Sequence, residues 1–283
     1  MTAILIQPLN HECFAEANQM LMQAFGNATD RLADLQLYHR LQPDGWFAMY
    51  DADRIVGTVG AVRYPTFAHV GFMAVHPDYQ NQGLGRLLME FILENLGKHA
   101  VPMVTLDASK SGHPLYLKLG FEEQGWVHTY QAQRTGLPLS VGTPVHKITE
   151  NDLPELASFD APIFADDRRK VFEALLALHP ERGFIARDAG GRLTGYLFAV
   201  QNRIGPWVVA EPSAAEHLLT AALSLEYQSN PMVVVPLECP AASDLLLKNG
   251  FTQIRSGWHM ALNGRHPSAR RDLIFAQTSM GAG

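Results

Sequence analysis

The sequence of 283 residues has only two cysteines and no long apolar run. Cys13 and Cys239 lie far apart, outside any CxxC or Cys/His ligand pattern, so neither a zinc site nor a disulfide framework is supported. We expect both thiols to be buried as small apolar side chains. No segment is long enough to cross a bilayer, and the start MTAILIQPLNHE lacks the basic and apolar regions of a signal peptide. These absences predict a cytoplasmic protein with no bound metal and no membrane contact.

Positive charge is also scarce. Lys and Arg number 22 against 28 Asp and Glu, and the formal charge of −6 is spread along the chain without blocks. Proteins that bind nucleic acid carry concentrated positive charge, so we expect no nucleic-acid partner. An acidic chain remains compatible with a cationic small molecule. With 47% hydrophobic and 18% charged residues, the composition is typical of a globular protein and excludes disorder.

An internal repeat organises the chain. The segment VTLDASKSGHPLYLKLGFEEQGW (104–126) is echoed by VVPLECPAASDLLLKNGFTQIRSGW (234–258), and 51–64 is echoed by 188–201. The repeat distance matches the size of an ordinary domain. The Gly- and Pro-rich stretch between the copies is typical of a linker. The sequence therefore predicts a first domain over 1–137, a linker over 138–144 and a second domain over 145–283.

The first repeat alternates strand and helix patterns. The apolar run 68–75 predicts a strand that stops at His76-Pro77, and the strand 103–107 follows a helix that begins near Leu84. One apolar face of that helix is formed by Leu84, Leu87, Leu88, Phe91 and Ile92, and we expect this face to pack on the core. The order of the elements predicts an α/β fold with a mixed parallel and antiparallel sheet.

The stretch DYQNQGLGRLL (78–88) connects that strand to that helix. The first N–H groups of a helix lack intrahelical partners and carry the positive end of the macrodipole, so this loop favours an anion such as a pyrophosphate. Gly83 and Gly85 allow the backbone to approach closely or to take positive φ. The ATP-type loop needs Gly-Lys-Ser/Thr, and the dinucleotide fingerprint needs a third glycine where Leu88 stands. The loop therefore matches neither.

Two motifs of this sequence are similar to motifs of a known family. Gln80-x-x-Gly83-x-Gly85 follows a strand that ends Ala74-Val75-His76-Pro77, and the run 115–121, LYLKLGF, lies downstream at the appropriate separation. This combination resembles the GNAT superfamily of N-acetyltransferases over about residues 45–130. The whole chain also resembles bacterial proteins in which an acetyltransferase domain is joined to a second, acetyltransferase-like domain.

The resemblance implies that acetyl-CoA is the co-substrate and lies between the strands 68–75 and 103–107. Its pantetheine arm would follow the backbone of the first strand as an added strand does, and an N–H there would polarise the thioester carbonyl. Its pyrophosphate would contact backbone N–H groups of the loop. The residues implied in binding are Met73, Ala74, Val75, Gln80, Asn81, Gln82, Gly83, Leu84, Gly85, Arg86 and Tyr116.

The resemblance also implies catalytic roles. Tyr116 stands four residues before Gly120, where family members carry the tyrosine that returns a proton to the departing thiolate. His69 occupies the strand position of a catalytic glutamate in some members, notably histone acetyltransferases, and histidine titrates in the useful range. Asp107, His113 and ordered waters are the alternative bases.

The second repeat departs from the motif. Glu211-Pro212-Ser213-Ala214 replaces the glycine loop, and Leu246 stands at the position that matches Tyr116. We expect a degenerate domain that lacks the phosphate site. Shaping the substrate pocket, forming a homodimer and binding an effector remain open roles for it.

The sequence thus predicts an acetyl-CoA-dependent N-acetyltransferase that moves the acetyl group directly to a primary amine of a small molecule. One alternative is a transferase that uses another acyl-CoA or a thiol-precursor amine, as in tandem mycothiol synthases. Another is a non-catalytic acyl-CoA sensor. The acceptor cannot be identified from the helical region 11–41 or its charges, because pocket geometry determines recognition.

Overall fold

The computed structural model describes residues 4–26, 29–136, 145–265 and 270–283. The chain divides into two compact units. Unit 1 comprises Met1–Glu122, Met260–Gly264 and Ala282, and unit 2 comprises Glu123–His259, Arg265–Gly281 and Gly283. The predicted linker, 138–144, lies outside the described residues, so the predicted boundaries of the two domains stay a prediction.

Unit 1 is a mixed α/β unit, as the sequence predicts. Its elements are β1 (Ile4–Pro8), α1 (Phe14–Ala24), α2 (Leu32–Leu41), β2 (Trp46–Asp51), β3 (Arg54–Arg63), β4 (Ala68–Val75), α3 (Leu84–Lys98), β5 (Val104–Ala108) and α4 (His113–Lys118). The strands β1 to β5 are neighbours in chain order. β1 to β4 pair antiparallel, whereas β4 and β5 pair parallel across the connection through α3.

The predicted helix face is correct in part. Leu88 and Ile92 of α3 are buried, as expected, and Met89 and Leu96 join them in the core. Leu87 is 43% exposed, so its predicted place in the core is wrong. The buried stripe contains positions 88, 89, 92 and 96, and this spacing places Leu87 on the flank of the helix.

Unit 2 contains the last strand of the first repeat, then the same succession of elements again, and finally one further strand. Its elements are β6 (Glu122–Ala132), β7 (Val145–Lys147), α5 (Leu153–Phe164), α6 (Arg169–Leu178), β8 (Gly183–Arg187), β9 (Leu193–Val200), β10 (Arg203–Val209), α7 (Pro212–Leu223), β11 (Met232–Pro236), α8 (Pro240–Lys248), β12 (Phe251–Leu262) and β13 (Ile274–Ala276). Its strand order is β12-β6-β11-β10-β9-β8-β7, with β13 beside β10.

The two repeats exchange their last strands. β6 ends the first repeat, yet it pairs antiparallel with β11 in unit 2, where Val127 lies opposite Pro236. β12 ends the second repeat, and its last residues belong to unit 1, where β12 neighbours β5. Within unit 2, the equivalent tryptophans of the repeats, Trp126 and Trp258, meet with ring centroids 4.6 Å apart.

The cysteines differ in their surroundings. Cys239 is fully buried, as expected, and burial raises the pKa of its thiol to about 11. Cys13 is only half-buried, so the expectation of a buried side chain is wrong for it. It lies just before α1, where its Sγ contacts the hydroxyl of Tyr50 at 3.6 Å. In the part of the chain that the structure describes, none of the helices is long and apolar enough to span a membrane.

Candidate active site

The neighbouring strands β4 and β5 separate partway along their length. Their pairing runs from Ala68 opposite Val104 to Val70 opposite Leu106 and includes three residue pairs. β4 then continues to Val75. Among the described strands, none lies between the last part of β4 and β5. The backbone edge of residues 71–75 therefore borders a slot of the kind that an extended chain can enter.

A bulge shapes β4 at the start of this slot. Thr58 of β3 lies opposite Ala74 and Gly60 lies opposite Gly71, so one residue of β3 faces two residues of β4, Phe72 and Met73. Phe72 has a positive φ of 48°. A bulge bends the strand that carries the extra residue, which helps to direct β4 away from β5.

The predicted anion loop lies where β4 gives way to α3. Asn81 and Gly83 both have left-handed backbones, with φ of 59° and 83°. Gly83 caps α3 without a side-chain hydrogen bond, and the first helical bond runs from the amide of Leu87 to the carbonyl of Gly83. The amides of residues 84–86 therefore have no acceptor within the helix, and the helix dipole adds positive potential at this point. This arrangement suits a pyrophosphate.

Two glutamines hold the loop by bonds to its own backbone. Gln80 Nε2 donates to the carbonyl oxygen of Val75 over 3.0 Å, and Gln82 Nε2 donates to that of Asp78 over 3.1 Å. The side chain of Gln80 thus ties the loop to the end of β4. Both glutamines are predicted to contact the cofactor. In the structure their side chains bond to the loop's own backbone, and the amide of Gln80 donates to the carbonyl oxygen of Pro77 over 3.2 Å.

Three elements converge at the entrance of the slot. A Cβ placed on Gly85 would lie 3.1 Å from Met73 Cε, 3.6 Å from Leu115 Cδ2 and 3.9 Å from Val75 Cγ2. These contacts bring the first turn of α3 against β4 and α4. A side chain at position 85 would displace the apolar groups that border the slot.

Tyr116 lies on α4, one residue after Leu115. It is 7% exposed, and burial raises the pKa of its phenol to about 12. Desolvation raises this pKa because it disfavours the phenolate. Tyr116 therefore keeps its proton at neutral pH, which a general acid requires.

His69 and Asp107 form a buried pair on β4 and β5. His69 Nδ1 lies 3.0 Å from Thr105 Oγ1, and His69 Nε2 lies 4.0 Å from Asp107 Oδ2. The His69 side chain is 1% exposed and that of Asp107 is 0% exposed. Two of the candidate bases, His69 and Asp107, therefore lie side by side. The third, His113, is the first residue of α4 and is half-buried. The sequence analysis missed Thr105, although its place two residues before Asp107 puts both on one face of the strand.

The corresponding slot of unit 2 is filled by the chain itself. β10 and β11 pair only at Arg203 opposite Met232. Beyond that point, β13 pairs antiparallel with β10, and the amide of Gln277 donates to the carbonyl oxygen of Val234 in β11 over 2.9 Å. β13 therefore lies as an added strand where unit 1 has an open edge.

The start of α7 also lacks the features of the glycine loop. Its N-cap is Glu211, whose carboxylate accepts a hydrogen bond from Arg192 over 2.7 Å, and Pro212 supplies no N–H. Leu246, which stands where unit 1 has Tyr116, is fully buried in the core. With Pro212 in its first turn and the amide of Ala214 bonded to the carbonyl oxygen of Glu211 over 2.9 Å, the start of α7 offers an anion fewer amides than the start of α3.

Comparisons with known proteins agree with this geometry. A family model described as an acetyltransferase (GNAT) domain matches residues 16–135, and a second model with the same description matches residues 156–276. The sequence is 26% identical over 202 residues to the uncharacterised N-acetyltransferase YitH of Bacillus subtilis, and the match covers 70% of each chain. The ribosomal protein bS18-alanine N-acetyltransferase of Escherichia coli strain K12 is 44% identical over 54 residues, which are 18% of this chain and 36% of that protein.

The fold is shared with solved structures. The crystal structure of an acetyltransferase-like protein from Pyrococcus horikoshii has a TM-score of 0.87 and 22% sequence identity, and the match covers 100% of this chain and 97% of that one. The two family models match both halves of the chain, in agreement with the internal repeat. The chain belongs to the GNAT acetyltransferase family and carries two of its domains in tandem.

Proposed function

We propose that unit 1 is an acetyl-CoA-dependent N-acetyltransferase that transfers the acetyl group directly to a primary amine of a small molecule. The observation that carries this proposal is the divergence of β4 from β5 beside the uncapped start of α3. A slot with an exposed backbone edge suits a pantetheine arm, and free helical amides at its end suit a pyrophosphate.

The residues of unit 1 fit this co-substrate. The amides of residues 84–86 would hold the pyrophosphate. The left-handed backbones of Asn81 and Gly83 turn the loop so that these amides are uncovered. The backbone of Met73, Ala74 and Val75 would pair with the pantetheine arm. Acetyl-CoA, when bound, supplies an acetyl group activated as a thioester.

The chain must also move two protons. A primary amine with a pKa of about 10.4 is protonated at neutral pH, so a base has to take its proton before the nitrogen can attack. We assign this role to His69, held between Thr105 and Asp107. As the C–N bond forms and the C–S bond breaks, the attacking nitrogen loses its second proton to water, and Tyr116 donates its own proton to the departing thiolate. Proton exchange with solvent then restores both side chains.

Unit 2 would bind no acyl-CoA. β13 fills its slot, and Glu211 stands at the start of α7. Titration calorimetry of acetyl-CoA into the whole chain tests this arrangement, with one site per chain as the expected result. Gly83→Trp should abolish binding, whereas Ser213→Trp at the start of α7 should not. Two sites would contradict the assignment of unit 2, and no binding would contradict the proposed function.

An amine panel tests the reaction itself. Release of free thiol is followed with acetyl-CoA and small primary amines, and with a peptide that begins with alanine because of the E. coli relative. Turnover with small amines supports the proposal. Faster turnover with longer acyl-CoAs would favour a different acyl donor, and turnover of the peptide alone would favour a protein substrate. Tight binding without turnover of any acceptor would favour an acyl-CoA sensor.

A further inference from the structure

We infer that Thr58 is a positioning residue whose hydroxyl aims the backbone amide of Met73 into the slot beside β4. The inference rests on the proposed function, because it concerns how the thioester carbonyl is held there. Thr58 lies on β3, where its side chain cannot reach the slot itself. It acts through the bulge of β4.

The contact that carries the inference is a single buried hydrogen bond. Thr58 Oγ1 donates to the carbonyl oxygen of Phe72 over 2.7 Å, and Thr58 is 2% exposed. Phe72 is the first of the two bulged residues and has a φ of 48°. A left-handed backbone is unfavourable for a residue with a Cβ, so the surrounding structure must hold it in place.

Two restraints hold Phe72 in this conformation. The Thr58 hydroxyl fixes its carbonyl. Its ring packs against Tyr38 and Trp46, with centroids 4.9 Å and 6.0 Å away. The ring contacts act on the side chain of Phe72, whereas the hydroxyl bond acts directly on the carbonyl of the peptide that follows it. The hydroxyl bond is therefore the contact that sets the orientation of the peptide between Phe72 and Met73.

The direction of the Met73 amide follows from peptide geometry. In a trans peptide the C=O and the next N–H point in opposite directions. Because the Phe72 carbonyl is directed to β3, the N–H of Met73 points to the other edge of β4. That edge borders the slot, since the pairing of β4 with β5 ends at Val70.

An amide fixed in this way has a chemical use. Negative charge develops on the thioester oxygen as an amine attacks, and a donor that is already aligned stabilises this charge without reorganisation. Thr58 thereby couples β3 to the reacting carbonyl through one peptide plane.

Isotope-edited infrared spectroscopy tests the inference without an acceptor amine. Bound acetyl-CoA labelled with carbon-13 at the carbonyl should show a C=O band at lower frequency than in water-free solvent, because the Met73 amide donates to it. Thr58→Val keeps the shape of the side chain and removes the hydroxyl, and it should reverse much of this shift. Thr58→Ser keeps the hydroxyl and should restore it.

Measurements of acetyl-CoA affinity and of turnover distinguish a positioning role of Thr58 from a general loss of structure. The dissociation constant of acetyl-CoA should change less than about threefold in Thr58→Val, because the amides of residues 84–86 are unaffected. Turnover should fall about tenfold or more at unchanged KM, since removal of an aligned donor costs 10² to 10³ in related cases. Thr58→Ala serves as the second hydroxyl-free variant if the valine variant does not fold.

The outcomes are distinguishable. A wild-type protein that does not bind acetyl-CoA would contradict the proposed function. Binding with no carbonyl shift in the wild type, or with equal shifts in wild type and Thr58→Val, would overturn only the inference. Impairment of the serine variant together with an unimpaired valine variant would assign Thr58 a packing role through its methyl group and would also overturn the inference.

Discussion

The ring of Tyr116 covers the backbone of Gly112. A Cβ on Gly112 would lie 2.9 Å from Cε2 of the ring and 3.2 Å from the phenolic oxygen. Any side chain at position 112 would therefore push the ring away. The turn before α4 thus fixes where the phenol, the proposed acid, can lie.

Replacing Tyr116 by Phe should lower kcat about 100-fold, the scale of a lost general acid. Affinity for acetyl-CoA should stay within about twofold, because the ring remains. The phenol has a pKa of about 12, above its ordinary value of 10.0, so it stays protonated and should produce no alkaline limb in the rate profile near neutral pH. The control is Tyr130→Phe, which removes the hydroxyl of a buried tyrosine in unit 2 and should leave kcat unchanged. Unchanged kcat in Tyr116→Phe would remove the residue from the acid role.

Two glycines of α3 provide a matched pair. A Cβ on Gly85 would meet Met73 and Leu115 at the slot, whereas a Cβ on Gly97 meets nothing within 4 Å. We expect Gly85→Val to weaken acetyl-CoA binding at least tenfold. Gly97→Ala should leave binding unchanged and stabilise the protein by about 0.5–1 kcal/mol through helix propensity. Calorimetric titration and thermal unfolding measure both. Equal affinities in the two variants would place the acyl-CoA elsewhere.

The role of His69 can be read from a pH profile. His69→Gln keeps a polar side chain but cannot accept the proton of the amine, so kcat/KM should fall and its acidic limb should disappear. Asp107→Asn should cause a smaller loss, because Asp107 acts through the imidazole. His113→Gln is the control and should keep the wild-type profile. An acidic limb that survives in His69→Gln would indicate that an ordered water or another group accepts the proton.

Unit 2 contains a buried ion pair. Arg168 and Asp160 are 0% and 1% exposed and share two bonds of 2.7 Å, and Tyr196 joins both. Arg168→Met leaves a buried carboxylate without its cation and should cost about 3–5 kcal/mol. The neighbouring pair Arg169–Glu173 is half exposed, so Arg169→Met should cost at most about 0.5 kcal/mol. Urea unfolding of Arg168→Met and Arg169→Met measures the free energy of unfolding that each variant loses. Similar losses would show that burial does not strengthen the Arg168–Asp160 pair.

Local patterns predicted the parts of the site that follow one another in the chain. The apolar run ending at His76-Pro77 gave the limits of β4, and the glycine loop gave the start of α3. These features depend on the nearest neighbours in the sequence, and the sequence therefore carries a direct signal for them.

Other features depend on partners far away in the chain. Phe72 has a left-handed backbone although it is not a glycine, because Thr58 and two aromatic rings hold it in this conformation. The neighbouring residues in the sequence therefore carry no sign of it. The addition of β13 to β10 and the exchange of β6 and β12 are pairings between distant segments. The periodicity of apolar residues identifies a strand but does not show which other strand pairs with it. The sequence therefore predicted two repeats without showing which strands their last strands pair with.

The exchange of last strands affects the order of events during synthesis. Unit 1 begins near the start of the chain, but Met260–Gly264 belong to it as well. Domains generally fold as they leave the ribosome, and contacts of large sequence separation form slowly. Unit 1 can therefore complete its sheet only after residue 264 has been made. A nascent chain that stops within the second repeat would hold the glycine loop 78–88 in an unfinished unit, so the proposed activity of unit 1 should begin only when both repeats have been synthesised.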